Sequence, residues 1–204
     1  MLWRHDILKR FDRQYSHIID NFNYLSVQWR HMKHLGTDNE SLIEQLLKNY
    51  GENPEREGLK DTPKRVAKMY EELLGGYKKN PEDIFKYFDS EKYEGVVKIE
   101  NITFSSLCEH HLMPFAGTVD IAYKPNGRIL GLSKFARLVE IYAKRLQVQE
   151  RLTSQIALAI MENLHPEGCA VRIKAEHMCM TVRGVKKHGV QTTTICNKGE
   201  LVVF

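Results

Sequence analysis

Apolar residues near the start of the chain fall at Leu8, Phe11, Tyr15, Ile18, Phe22, Leu25, Trp29 and Met32, in steps that alternate three and four. No glycine or proline interrupts residues 1–35. That spacing is a heptad-like seam and predicts one long helix packed on another, either from a second subunit or within its own domain. "GTDNE" at 36–40 breaks the pattern. A second helix is expected from about Glu40 to Tyr50, stopped at Gly51. The polar loop "NPEREGLKD" leads into "TPKRVAKMYEELLGG", a third helix. Thr62 is its expected cap, Pro63 its first helical residue, and Gly75 and Gly76 its end. Val66, Met69, Tyr70, Leu73 and Leu74 form its apolar face. Arg65 and Lys68 lie off that face as neighbours on the helix surface.

From Val96 the period changes from helical to two. "VVKIENITF" and "GTVDIAYK" alternate as strands, and "PNG" at 125–127 signals a turn into "RILGL". Ser133 is then expected to cap a helix with Phe135, Leu138, Val139, Tyr142 and Leu146 on its apolar side. A further helix, from about Gln149 to Leu164, carries Leu152, Ile156, Ile160 and Leu164, and "PEG" ends it. "AVRIKAEHMCMTV" and "GVQTTTICN" read as two more strands. Adjacent strands with short turns favour antiparallel pairing and an α+β fold. The expected organisation is an N-terminal helical region, 1–94, followed by a sheet-containing domain, 95–204.

The 204 residues are 42% hydrophobic and 27% charged, ordinary for a globular protein, with a formal net charge of +4. That excess is too small to argue for a nucleic-acid partner, but it suits a phosphorylated substrate if the cations converge. Four cysteines, Cys108, Cys169, Cys179 and Cys196, do not make a disulfide scaffold and fit a metal or thiol role in a reducing compartment. The first residues, "MLWRHDILKRFDRQ", are charged throughout and lack a signal-peptide core. No apolar run reaches membrane-spanning length, so a cytoplasmic protein without membrane attachment is expected.

The chemistry concentrates in "SSLCEHHLMPF". Cys108 and His111 are spaced C-x-x-H, close enough for one turn to aim both at an ion. "EHMCM" supplies a candidate third ligand: His177 and Cys179, two apart on a strand, would face the same side, and one of them could complete the site. Mixed cysteine and histidine ligation favours zinc. Three protein ligands with an open fourth position mark a catalytic zinc, which lowers the pKa of bound water to about 7. The spacing is equally compatible with a structural zinc that recruits Cys169 or Cys196, or with buried thiols beside a hydrogen-bonded histidine.

Four motifs, "NPEREGLKDTPKRVAKMYEELLGGY", "LCEHHLMPFAG", "GLSKFARLVEIYAKRLQVQERLT" and "EHMCMTVRGVKKHG", closely resemble GTP cyclohydrolase I over about residues 40–195 and stand in that family's order. The resemblance implies a tunnelling fold assembled into two stacked pentameric rings, a homodecamer, with active sites between subunits. It implies opening of the guanine imidazole ring of GTP, release of formate and rearrangement to 7,8-dihydroneopterin triphosphate, the entry step to folate or pterin biosynthesis. Carried onto matching positions, it makes Cys108, His111 and Cys179 the zinc ligands. His110 becomes the acid–base group at the base, and His177 and Ser133 act near the ribose. Glu150, flanked by Gln149, becomes the guanine-reading carboxylate. Lys134, Arg137 and Arg183 become triphosphate contacts, with Arg65 and Lys68 joining them from the earlier helix. Histidine as a residue type titrates near neutral pH, which suits both acid–base roles. Thr118, His188 and the tail "ICNKGELVVF" depart from the residues usual in the family.

Overall fold

A computed structural model describes residues 38–204. The long helix expected over 1–35 lies outside the described residues. Tertiary contacts divide the chain into a unit ending at Ala67 and a unit spanning Lys68–Phe204.

In the first unit, helix α1 (Asn39–Asn49) starts at Asp38, whose carboxylate accepts the Ser41 N–H at 2.7 Å. This satisfies one of the orphan donors of the first turn. Helix α2 (Thr62–Leu73) runs across the division between the units. Thr62 is its first helical residue rather than its cap.

The second unit continues through two short 3₁₀ turns, Gly75–Lys78 and Pro81–Ile84. It then forms β1 (Tyr87–Asp89), β2 (Val97–Cys108), β3 (Met113–Lys124), β4 (Arg128–Leu130), helix α3 (Leu132–Ala143), β5 (Leu146–Gln147), helix α4 (Gln149–Leu164), β6 (Gly168–His177), the single-turn helix α5 (Met178–Thr181) and β7 (Gln191–Gly199). The main sheet has the order β5-β2-β3-β6-β7, and β1 and β4 form a separate two-stranded ladder. Every pairing is antiparallel except β2 with β5. The result is the α+β architecture that the alternating patterns predict.

Period-two alternation decides what each face covers. Phe115, Val119 and Ile121 of β3 and Ile173 of β6 are fully buried, together with Phe135 and Leu138 of α3 and Leu152, Ile156 and Ile160 of α4. Each such side chain contributes roughly 2 kcal/mol by leaving water. Ala122 and Ala170, paired across β3 and β6, are covered instead by Leu201, with Val96, Val203 and Phe204 packed around them. Next to them Arg172 donates to Asp120 Oδ2 through Nε at 3.0 Å and through its terminal nitrogen at 2.8 Å. Asp120 Oδ1 accepts the Asn101 N–H at 2.8 Å, where β2 shifts register. Gly117 leaves no room for a side chain where β3 meets β6, since a Cβ there would lie 1.8 Å from the Lys174 carbonyl oxygen.

Several expected boundaries move. β2 extends to Cys108 and β3 begins at Met113, so "CEHHLM" becomes the tip of a hairpin. Strand β4 stops at Leu130, and Gly131, not Ser133, occupies the N-cap of α3. Ser133 lies inside the first turn. Leu146 leaves the helix and enters β5, because its backbone pairs with Leu107. The strand expected over 170–182 ends at His177 and turns helical at Met178, so His177 and Cys179 do not share a strand face.

Candidate metal centre and active site

Cys108 is the last residue of β2 and is buried. Its carbonyl accepts the N–H groups of His111 at 3.3 Å and Leu112 at 2.8 Å, which folds residues 108–112 into a tight turn. Leu112 completes it with φ +53. Cys179 approaches from α5. Helix geometry at Met178 swings Cys179 away from the direction a continuing strand would give it. The sulfurs of Cys108 and Cys179 and a ring nitrogen of His111 all lie within 4.8 Å of one another.

This donor set fits a zinc ion, whose bonds to sulfur and nitrogen are about 2.0–2.3 Å. The Cys179 thiol is pushed up by burial first and then by the neighbouring Cys108 thiol. A divalent cation bound at the two sulfurs would favour their thiolate forms. Among the described residues no other group of three or more histidine, cysteine or carboxylate donors converges in this way. Cys169 and Cys196 stay outside it. Cys169 is fully buried, its thiol donates to the Ala157 carbonyl at 3.4 Å, and burial pushes that thiol up to about 12.

His110 is exposed at the hairpin tip, with Nδ1 3.8 Å from the Cys108 sulfur. His177 occupies a different environment. Its ring stacks on Phe115, its register partner across β3 and β6, at 4.6 Å and 2° between planes. Its Nε2 lies 2.9 Å from Gln149 Oε1. Burial lowers the His177 pKa, and Glu150 opposes that shift. Gln149 is itself buried, and its Nε2 donates to the carbonyls of Ile173 and Thr192 and to the Thr194 hydroxyl at 3.0–3.1 Å. These acceptors fix the amide orientation, so Oε1 must accept from His177. His177 therefore carries its proton on Nε2 and presents Nδ1 as the basic atom.

The structure thus brings together Cys108, His111 and Cys179, with His110 beside Cys108. It gathers His177, Gln149 and Glu150 into a second group at the start of α4. Glu150 is exposed on the first turn of that helix. Ser133, Lys134 and Arg137 stand on the first two turns of α3, and Arg183 follows α5. Among the described residues the side chains of Ser133, Lys134, Arg137, Arg183 and Lys68 form no hydrogen bond or ion pair. Arg65 is engaged within its own unit, 3.4 Å from Asp61 and 3.1 Å from Thr62. Thr118 sits within β3 opposite Thr103, and His188 lies in the loop before β7.

Sequence reasoning passed over Glu109, Gln147 and Arg151. Arg151 donates to Glu109 and, through Nε, to Gln147 Oε1 at 3.2 Å. The only sequence signal was the four-residue step from Gln147 to Arg151, which has meaning once β5 and the start of α4 are placed.

A model of the GTP cyclohydrolase I family matches residues 39–202 of this chain. A Streptococcus gordonii protein named GTP cyclohydrolase 1 is 56% identical over 158 residues, 77% of this chain and 84% of its own length. A Streptococcus pyogenes protein of the same name is 55% identical over 161 residues, 78% of this chain and 83% of its own. One from Streptococcus thermophilus is 54% identical over 161 residues, 78% of this chain and 86% of its own.

Proposed function

This chain belongs to the GTP cyclohydrolase I family, and from that premise we propose how its own residues divide the work on GTP. The protein is a zinc-dependent hydrolase acting on GTP. In the proposed reaction the imidazole ring of the base opens, formate leaves and the ribose rearranges to give 7,8-dihydroneopterin triphosphate. The observation that carries the assignment is the convergence of Cys108, His111 and Cys179 with His110 beside Cys108.

Cys108, His111 and Cys179 would hold a zinc ion, which would supply Lewis-acid chemistry and make water acidic near neutral pH. His110, adjacent to a ligand and exposed, protonates the imidazole nitrogen of the base as the ring opens. His177 acts at the ribose through Nδ1, because Gln149 holds the other nitrogen protonated. Ser133 assists there from α3. Glu150 accepts from the ring N–H and the exocyclic amino group of guanine, a donor pair that adenine lacks. Gln149 contributes to base binding indirectly, since its side chain is committed to the sheet and to His177.

The side chains of Lys134, Arg137, Arg183 and Lys68 form no hydrogen bond or ion pair among the described residues, which supports their use as triphosphate contacts, and Arg65 is proposed as a further one. We propose a homodecamer of two pentameric rings, each chain having a tunnelling-fold domain at 95–204 preceded in sequence by an N-terminal region at 1–94. Among the described residues no helix is long and apolar enough to cross a membrane, and a cytoplasmic location agrees with free thiols at all four cysteines.

The test is His110→Ala with zinc bound. Formate release is expected to fall by about 10²–10⁴-fold. Formate release at the unmodified rate would remove His110 from the acid role.

A further inference from the structure

Glu109 lies between two zinc ligands in sequence, yet it points toward α4 rather than toward the metal. Its N–H donates to the Gln147 carbonyl at 3.0 Å, which extends the β2–β5 pairing by one bond. Its carboxylate accepts from the terminal nitrogen of Arg151. Arg151 is fixed in turn by its Nε bond to Gln147 Oε1 at 3.2 Å. Gln147 is 1% exposed and spends its amide hydrogens on the Tyr142 carbonyl at 3.0 Å and Gln155 Oε1 at 2.8 Å. A continuous chain of bonds therefore runs from the buried face of α4, through Gln147 and Arg151, to the one residue that separates Cys108 from the two hairpin histidines.

We propose that Arg151 is a positioning residue for the zinc hairpin: its guanidinium holds Glu109, and through it sets the turn that presents Cys108, His110 and His111. The inference rests on the assignment of Cys108, His111 and Cys179 as the zinc ligands. A guanidinium suits the task because its planar fork serves Glu109 and Gln147 at once, whereas an ammonium offers a single point of attachment. Residues that hold metal ligands in place typically govern affinity or activity by about 10–100-fold.

The experiment measures zinc affinity by chelator competition, and kcat and KM for GTP, in the full-length protein and in Arg151→Met, Arg151→Lys, Glu109→Gln and the Glu109→Gln/Arg151→Met pair. Zinc affinity is expected to fall roughly 10–100-fold in Arg151→Met, with Arg151→Lys restoring only part of it. kcat of the zinc-saturated variant falls, while KM stays near that of the unmodified protein. The double variant is expected to be no worse than the weaker single one, because both changes cut the same link. Glu109→Gln is nearly isosteric and keeps the test valid if Arg151→Met folds poorly. Unchanged zinc affinity overturns the proposal, and so does a raised KM with metal binding intact, which would make Arg151 a substrate contact. Additive losses in the double variant overturn it as well. Failure of the ligand assignment itself reads differently: Cys179→Ser would then leave zinc affinity untouched.

Discussion

At the scale of single residues, Gln149 and Glu150 show how neighbours on one helix turn take separate tasks. Gln149 is buried and spends every polar atom on the protein, whereas Glu150 is exposed and has no side-chain hydrogen bond among the described residues. An uncommitted carboxylate beside His177 is free to read a base. Glu150→Ala is expected to cost about 3 kcal/mol of GTP binding, roughly a hundredfold in KM, through two lost charge-assisted hydrogen bonds. Steady-state kinetics check this, and an unchanged KM would contradict the guanine-reading role. From sequence, the residue types and their resemblance to the family pointed to these positions. The sequence did not reveal that His177 and Cys179 approach the site from different elements. Spacing reports a side chain's direction only when its secondary structure is known, and the switch from strand to helix at Met178 has no local marker. The Glu109–Arg151 link was hidden for a similar reason, since it joins positions 42 apart in sequence.

At the scale of elements, long periodic segments were legible and short ones were not. The stretches that became α3, α4, β2, β3 and β6 each repeat an apolar period often enough to declare themselves. β5 is two residues long and β1 three, and both exist only because a partner strand is present. The pairing of β3 with β6 also carries a pH-dependent element of stability. Burial of Asp120 would raise its pKa, but hydrogen bonds from Asn101 and Arg172 outweigh burial and hold the carboxyl below its ordinary value. A lowered folded pKa means that this stabilisation is complete above the unfolded value of about 3.9 and is lost as pH falls through the folded value. Asp120→Asn is expected to destabilise the protein by about 3 kcal/mol at pH 7, because it leaves Arg172 without its charge partner. The difference shrinks as pH falls below 4. Urea unfolding at several pH values measures it, and a penalty that does not change with pH would show that charge is not the cause.

At the scale of the whole molecule, the second unit combines a sheet that carries the 108–112 hairpin turn with a helix pair whose first turns carry Glu150, the proposed base reader, and the α3 cations. The α3 cations have no ion-pair partner among the described residues and are proposed to contact the triphosphate. The most direct test of the central claim, that the Cys108–His111–Cys179 centre drives GTP ring opening, is incubation of zinc-loaded protein with GTP while formate and pterin absorbance are followed together. Both signals are expected to appear, and both to vanish in Cys179→Ser. Full turnover in Cys179→Ser, or no formate from intact zinc-loaded protein, would contradict the account.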